Sequence, residues 1–148
     1  MSTQRERATI DDLVAVAAAQ SDFWGARDMS HLLHPMLVHE FGSTSVVIRD
    51  PPGAIAAYLF GFVTLERVAY AHLVAVRESR RREGLGRTLY ERFEELARER
   101  DATHLKAYTR PSNTTSIDFH RSIGMTATLV PNYSGPGETR VLFHRELG

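Results

Sequence analysis

The chain of 148 residues has no cysteine. Disulfides, zinc–thiolate centres and a cysteine nucleophile are therefore excluded. It has no net charge, because eighteen Lys and Arg balance eighteen Asp and Glu. A dedicated binder of nucleic acid or of an anionic membrane would carry a net basic surface, so any basic patch here is local. No apolar run approaches the ~20 residues of a membrane span. The first residues, MSTQRERATIDD, lack the apolar stretch of a signal peptide, and a cytoplasmic location is the expectation. There is no repeat, low-complexity tract or long linker, which predicts one domain over residues 1–148. Hydrophobic residues at 43% and charged residues at 24% are ordinary for a globular protein with a core.

Periodicity gives the order of elements. RERATIDDL reads as a short strand turning into a helix, with Thr9 and Asp12 spaced as a capping box. A second helix is expected over MSHLLHPMLVHEF, kinked or divided at Pro35. STSVVIRD and AIAAYLFGFVTL form a hairpin about the turn DPPG, and VAYAHLVAV is a buried strand. An arginine–glycine turn leads into a helix with Leu85, Leu89, Phe93 and Leu96 on one face. THLKAYTR is another strand, SNTTSIDFHRSIG a short helix ended by Gly124, and MTATLVPNY with TRVLFHREL a closing hairpin about SGPGE. The fold class is mixed α/β.

The turn, RRREGLGR, is the distinctive stretch. A helix N-terminus offers unpaired N–H groups and partial positive charge, and glycines let a backbone approach a bound group, so the turn suits a phosphate. A P-loop is excluded because no Lys follows Gly86, and a G-x-G-x-x-G fingerprint fails because its last position is Leu89. What fits is Arg or Gln, two residues, Gly, one residue, then Gly or Ala: Arg81-Arg82-Glu83-Gly84-Leu85-Gly86. About thirty residues on, NTTSIDFHRSIGM resembles the helix pattern N-x-x-A/S-x-x-F/L-Y-x-x-x-G-F/M. These two motifs, with HLVAV before the first, resemble the GNAT (GCN5-related N-acetyltransferase) superfamily. The match is good over residues 69–125, and the element order agrees on both sides.

The resemblance implies a GNAT fold: a twisted, mostly antiparallel sheet with one parallel strand pair splayed at the acyl-CoA site, flanked by helices. It implies acetyl-CoA as cofactor. Val74, Ala75 and Val76 would pair with pantetheine amides. Amides from Arg82 to Arg87 would cradle the pyrophosphate, with the Thr88 hydroxyl as an addition. Asn113 and Ser116 would meet the pantetheine or phosphate arm, and Arg77, Arg80 and Arg82 are unranked candidates for the 3′-phosphate. The implied reaction is direct attack of a primary amine on the thioester, the amine being a small molecule, an amino acid or a peptide N-terminus.

A lysine-like amine costs about 4–5 kcal/mol to hold neutral at pH 7, an α-amine only about 1 kcal/mol, so a general base matters most for a strongly basic acceptor. Strand alternation places Tyr70, His72, Val74 and Val76 on one face. His72 is then the candidate base, as histidines at matching positions are in some family members, with Tyr70 lining its channel; a hydrogen-bonded core histidine is the competing reading. The chain departs from the family at its usual general-acid Tyr, where His120 stands as acid, base or spectator. The N–H of Leu73 or Val74 is the expected oxyanion donor. The implied acceptor pocket includes Trp24, Arg27, Tyr58 and Arg140, with Asp22 and Tyr133 nearby; simple packing of Trp24 and Phe23 competes with it. His31 and His34 lie three apart, but Pro35 intervenes and no metal site is expected. A homodimer is left open, with the last hairpin able to pair across a two-fold axis. Two rival readings are an acyl-CoA sensor without turnover, and nucleic-acid binding through RRREGLGR, which Glu91, Glu94 and Glu95 oppose.

Overall fold

A computed structural model describes residues 4–50 and 54–148. The expected turn at DPPG lies mostly outside the described residues. Seven strands form one sheet in the order β1-β2-β3-β4-β5-β7-β6. They are β1 (Gln4–Arg7), β2 (Val46–Asp50), β3 (Ala54–Val63), β4 (Val68–Val76), β5 (His104–Thr109), β6 (Thr126–Val130) and β7 (Arg140–Glu146). All neighbours are antiparallel except β4 and β5. The helices are α1 (Ile10–Ala18), α2 (Gln20–Trp24), α3 (Met36–His39), α4 (Leu85–Arg98) and α5 (Thr114–Ser122).

Local chemistry sets the helix ends. Thr9 and Asp12 form the expected capping box, with Thr9 N–H donating to the Asp12 carboxylate at 2.8 Å. Pro35 divides the second helical stretch into a 3-10 turn at Ser30–Leu32 and the short α3. Asn113 caps α5 by accepting from the Ser116 N–H.

Two cores sandwich the sheet. One packs α4 and α5 against Leu59, Ala69, Ala71, Leu105 and Phe143. The other packs α1, α2 and α3 against Val47, Tyr58, Phe60, Leu73 and Ala75. Strand β4 contributes to both, and this is where the simple alternation fails. Phe60 pairs with Leu73, but Gly61 pairs with Ala71, so His72 is an extra residue in a β-bulge. Before the bulge, Ala69 and Ala71 face α4. After it, Leu73 and Ala75 face α1–α3, while Val74 and Val76 pack on the α4 side. The expected single face of Tyr70, His72, Val74 and Val76 is therefore corrected: the bulge separates the first two from the last two.

Gly61, opposite the bulge, explains itself. A Cβ there would lie 2.8 Å from the Phe93 ring and 2.8 Å from the Tyr70 carbonyl oxygen. The backbone oxygen cannot move aside without breaking the β3–β4 ladder. Gly61→Ala should therefore destabilise the fold by about 1–3 kcal/mol, read as a lowered urea midpoint; a midpoint equal to wild type would show that the bulge region yields freely.

Candidate functional site

The parallel pair β4 and β5 stays in register for only three rungs, Val68–His104, Ala69–Leu105 and Tyr70–Lys106. Beyond Tyr70 the strands part. Arg77 N–H bonds the Ala56 carbonyl on β3 at 2.8 Å. Strict alternation of backbone groups then aims the N–H and C=O of Val74 and Val76 at the open edge toward β5. Of the two expected oxyanion donors, Leu73 and Val74, only Val74 faces the opening.

The open edge runs into the arginine–glycine turn. Among the described residues, no protein acceptor meets the backbone N–H groups from Arg82 to Arg87. They sit at the N-terminus of the 14-residue α4, whose dipole adds to their attraction for an anion. Gly84 adopts φ +78°, and a Cβ there would meet nothing within 4 Å. Gly86 is glycine for another reason: its Cβ would stand 2.9 Å from the Phe119 ring, so it permits close packing of α4 on α5.

The structure ranks the arginines. Arg77 is held by Asp22 at 2.7 Å and lies over the Phe23 ring. Arg80 pairs with both Asp50 and Glu83, which also occupies Glu83. Arg81 donates to the Phe23 carbonyl and fastens the turn to α2. Arg82 is exposed, has φ +67° and makes no side-chain bond among the described residues. It is the cation of the three left for a 3′-phosphate. Arg87 donates to the Ser122 carbonyl. The Thr88 hydroxyl donates to the Gly84 carbonyl, so its proton is not free for a phosphate. Asn113 donates to Thr109 as well as capping α5.

His72 Nε2 lies 2.9 Å from the Leu32 carbonyl oxygen. A carbonyl only accepts, so Nε2 carries the proton and Nδ1 keeps its lone pair. Burial pushes the His72 pKa below its ordinary value, the Leu32 carbonyl opposes this, and His34 reinforces it. The ring is neutral at pH 7 with one basic nitrogen. Tyr70 stacks on Phe62 and neighbours Tyr108, which touches Tyr133. Burial drives the Tyr70 pKa up, so this phenol stays protonated.

His120 is corrected as a free acid or base. It is 7% exposed and stacked on Phe143 at 4.0 Å. Its Nδ1 donates to the Ser116 carbonyl at 2.7 Å, and its Nε2 accepts from the Tyr90 hydroxyl at 2.7 Å. Both nitrogens are engaged, and burial lowers its pKa to about 4. Ser116, with its hydroxyl 3.2 Å from the same ring, belongs to this buried network.

Of the expected acceptor residues, Trp24, Arg27 and Tyr58 meet at α2, and Arg140 stands apart. Tyr58 is fully buried, accepts from the Trp24 indole N–H at 2.9 Å, and has its pKa pushed up to about 12 by burial. Tyr58 and Trp24 thus pack the α2 junction, the arrangement that the competing reading of Trp24 expected. Arg27 is exposed over the Trp24 ring. Arg140 is tied to Glu138 and the Thr139 carbonyl at the hairpin tip. Sequence reasoning missed Tyr108; its place opposite Leu142 on an uncovered strand depends on register. Among the described residues, no group of three or more His, Cys, Asp or Glu could hold a metal, and no helix is long and apolar enough to cross a membrane.

The model of the acetyltransferase (GNAT) family matches residues 11–125. The chain belongs to this family. The family uses acetyl-CoA. Solved structures share its fold. Ard1 from Thermoplasma volcanium has a TM-score of 0.84 at 23% identity, covering 100% of this chain and 99% of that one. The ribosomal-protein-S18-alanine N-acetyltransferase of Escherichia coli has 0.75 at 22%, covering 99% and 95%. The putative acetyltransferase yncA of Salmonella typhimurium, solved with its cofactor acetyl-CoA, has 0.74 at 18%, covering 100% and 95%. No curated protein sequence matches the chain.

The His120 network ties stability to pH. An unfolded imidazole binds a proton near pH ~6.5, whereas the folded one resists protonation until about 4. The stabilisation is complete above the unfolded value and is lost as pH falls through that window, by about 3 kcal/mol at most. Urea midpoints taken from pH 7 to pH 4 should fall in wild type and fall less in His120→Gln.

Proposed function

We propose that this chain is an N-acetyltransferase that moves an acetyl group from acetyl-CoA to a primary amine in a ternary complex. The observation that carries the reading is the open β4 edge leading straight into six unpartnered N–H groups at a helix N-terminus. An extended chain of amides followed by a pyrophosphate matches that sequence of donors and acceptors. Val74 and Val76 would hold the amide portion, Arg82 to Arg87 the pyrophosphate, and the Arg82 side chain the 3′-phosphate.

Acetyl-CoA supplies an acyl group activated as a thioester. The chain's own residues do the rest. His72, neutral and fixed by the Leu32 carbonyl, takes a proton through Nδ1 from the acceptor's ammonium, which frees the amine lone pair for attack. Tyr70, held protonated, passes or orients that proton without acting as a base. The Val74 N–H, on the open edge, stabilises negative charge on the carbonyl oxygen. The acceptor is a small amine, an amino acid or a peptide N-terminus, and the site of action is the cytoplasm.

A second reading is favoured by His120. The position that carries Tyr in the family's pattern holds a buried, doubly bonded imidazole with no free proton. An acyl-CoA sensor without turnover would need no acid there.

Thiol release from acetyl-CoA with a panel of amines separates the two. The transferase reading expects turnover with one amine class, and His72→Ala should lower kcat/KM about a hundredfold while leaving calorimetric CoA affinity intact. The wild-type rate should fall with falling pH along a limb centred below ~6.5, because protonation removes the basic nitrogen. That limb should vanish in His72→Ala. Tight CoA binding without turnover for any amine favours the sensor.

In the turn, Gly84→Ala forces a Cβ into a left-handed conformation at about 1–2 kcal/mol. It should weaken CoA binding more than it lowers the urea midpoint, whereas Gly86→Ala should do the reverse by pushing on Phe119. Equal effects of both on CoA affinity would count against the pyrophosphate assignment.

A further inference from the structure

The helices α1–α3 cover one sheet face over β2, β3 and β4 only. Their core includes no residue of β5, β6 or β7. The neighbouring half of that face is open. Register places Tyr70, Lys106, His144 and Thr126 in one row across it, and Tyr108, Leu142 and Thr128 in the next. Tyr133, in the loop between β6 and β7, folds against Tyr108 with ring centroids 5.2 Å apart. This floor begins where β4 and β5 part, because Tyr70–Lys106 is the last rung before the opening.

Lys106 is the only lysine of the chain. It is partly buried and has no ion-pair partner among the described residues. In the nearby turn Arg77 and Arg80 are paired with carboxylates, whereas this ammonium is not. Of the carboxylates on the same face, Glu138 holds Arg140, and Glu146 stands one diagonal step from Lys106, opposite His104, without forming an ion pair to it. Two histidines, His104 and His144, stack beside Lys106 at 5.2 Å and add further donors. The face therefore presents, at the mouth of the opening, an ammonium that no carboxylate of the described residues holds in an ion pair.

We propose that the acceptor carries a carboxylate close to its reactive amine, and that Lys106 binds it on this open face. This rests on the transferase reading and names the acceptor class within it: an acidic amino acid or a peptide with Asp or Glu next to its N-terminal residue. Polyamines and peptides with basic second residues are disfavoured by the same charge.

The test uses the full chain and four acceptors: free glutamate and three otherwise identical peptides with Glu, Ala or Lys at the second position. Two readouts are taken, CoA-thiol release and calorimetric binding of each acceptor. The expected order is Glu above Ala above Lys, with a Glu-to-Ala ratio in kcat/KM of about five to ten, the size of one charge-assisted contact at a partly exposed site. Lys106→Met should collapse that ratio toward one, and Lys106→Glu should invert it in favour of the Lys peptide. Free glutamate outperforming the Glu peptide would assign the carboxylate to a small-molecule acceptor; the opposite assigns a peptide, and either supports the proposal. If no acceptor releases thiol, the transferase reading fails, and the binding titrations decide the charge preference by the same order and the same inversion. Equal handling of the Glu, Ala and Lys peptides in turnover or binding, or a wild-type preference for Lys, overturns the proposal.

Discussion

The molecule is organised around a separation. Two parallel strands that pair as far as Tyr70 and Lys106 then diverge, and the backbone groups of β4 beyond that point have no partner on β5, the Val76 carbonyl accepting instead from Arg81. Buried strands do not ordinarily leave polar backbone groups unpaired, because each costs the equivalent of a lost hydrogen bond. Here the opening is held by structure on both sides. The β3–β4 ladder fixes one wall, and the six rungs between β5 and β7 fix the other. Ion pairs from Asp22, Asp50 and Glu83 lock the turn above it. The unpaired edge is thus rigid before any ligand arrives, and its donors and acceptors are aimed in advance.

The bulge at His72 has a second consequence. It turns the strand over, so Tyr70 and His72 look toward the α1–α3 side while Val74 and Val76 look toward α4. Tyr70 and His72 therefore lie on the sheet side covered by α1–α3, and the arginine–glycine turn joins that side, through Arg77 and Arg81, to α4 on the other. Gly61 stands across the ladder from the bulge, where a Cβ would meet Phe93 and the Tyr70 carbonyl.

His120 shows how one motif position can take a different physical role. An imidazole is shorter than a phenol, and here it is drawn into the core between Tyr90, Ser116 and Phe143. Its Nε2 joins α5 to Tyr90 of α4, while its Nδ1 donates to Ser116 within α5, so it serves the packing that also demands Gly86 against Phe119. A thiolate whose conjugate acid has a pKa near ~8.5 can leave without prior protonation, so the transfer reading does not require an acid at this position.

Much of this was legible in the residues alone. The capping box at Thr9 and Asp12, the division at Pro35, the apolar face of α4 and the glycine-bearing turn are local, and local sterics and hydrogen bonding decide them. The family motif is local too, which is why the turn and Asn113 could be placed from sequence. What depended on distant partners could not be read. The bulge at His72 follows from how β3 and β4 fit around Phe93, so period-two alternation predicted the wrong face for Val74. Tyr58 and Trp24 stood as acceptor-pocket candidates with packing of Trp24 as the competing reading, and only the meeting of α2 with β3 shows one bonded to the other. The arginines of RRREGLGR were equivalent as letters. Only the positions of Asp50, the Phe23 carbonyl and the Ser122 carbonyl set Arg80, Arg81 and Arg87 apart from Arg82, whose side chain has no bond among the described residues. Lys106 stood unremarked in an ordinary strand, and cross-strand register alone set it at the mouth of the opening. Sequence determined the elements and the anion-binding turn; tertiary structure decided which side chains remained free, because freedom depends on every neighbour at once.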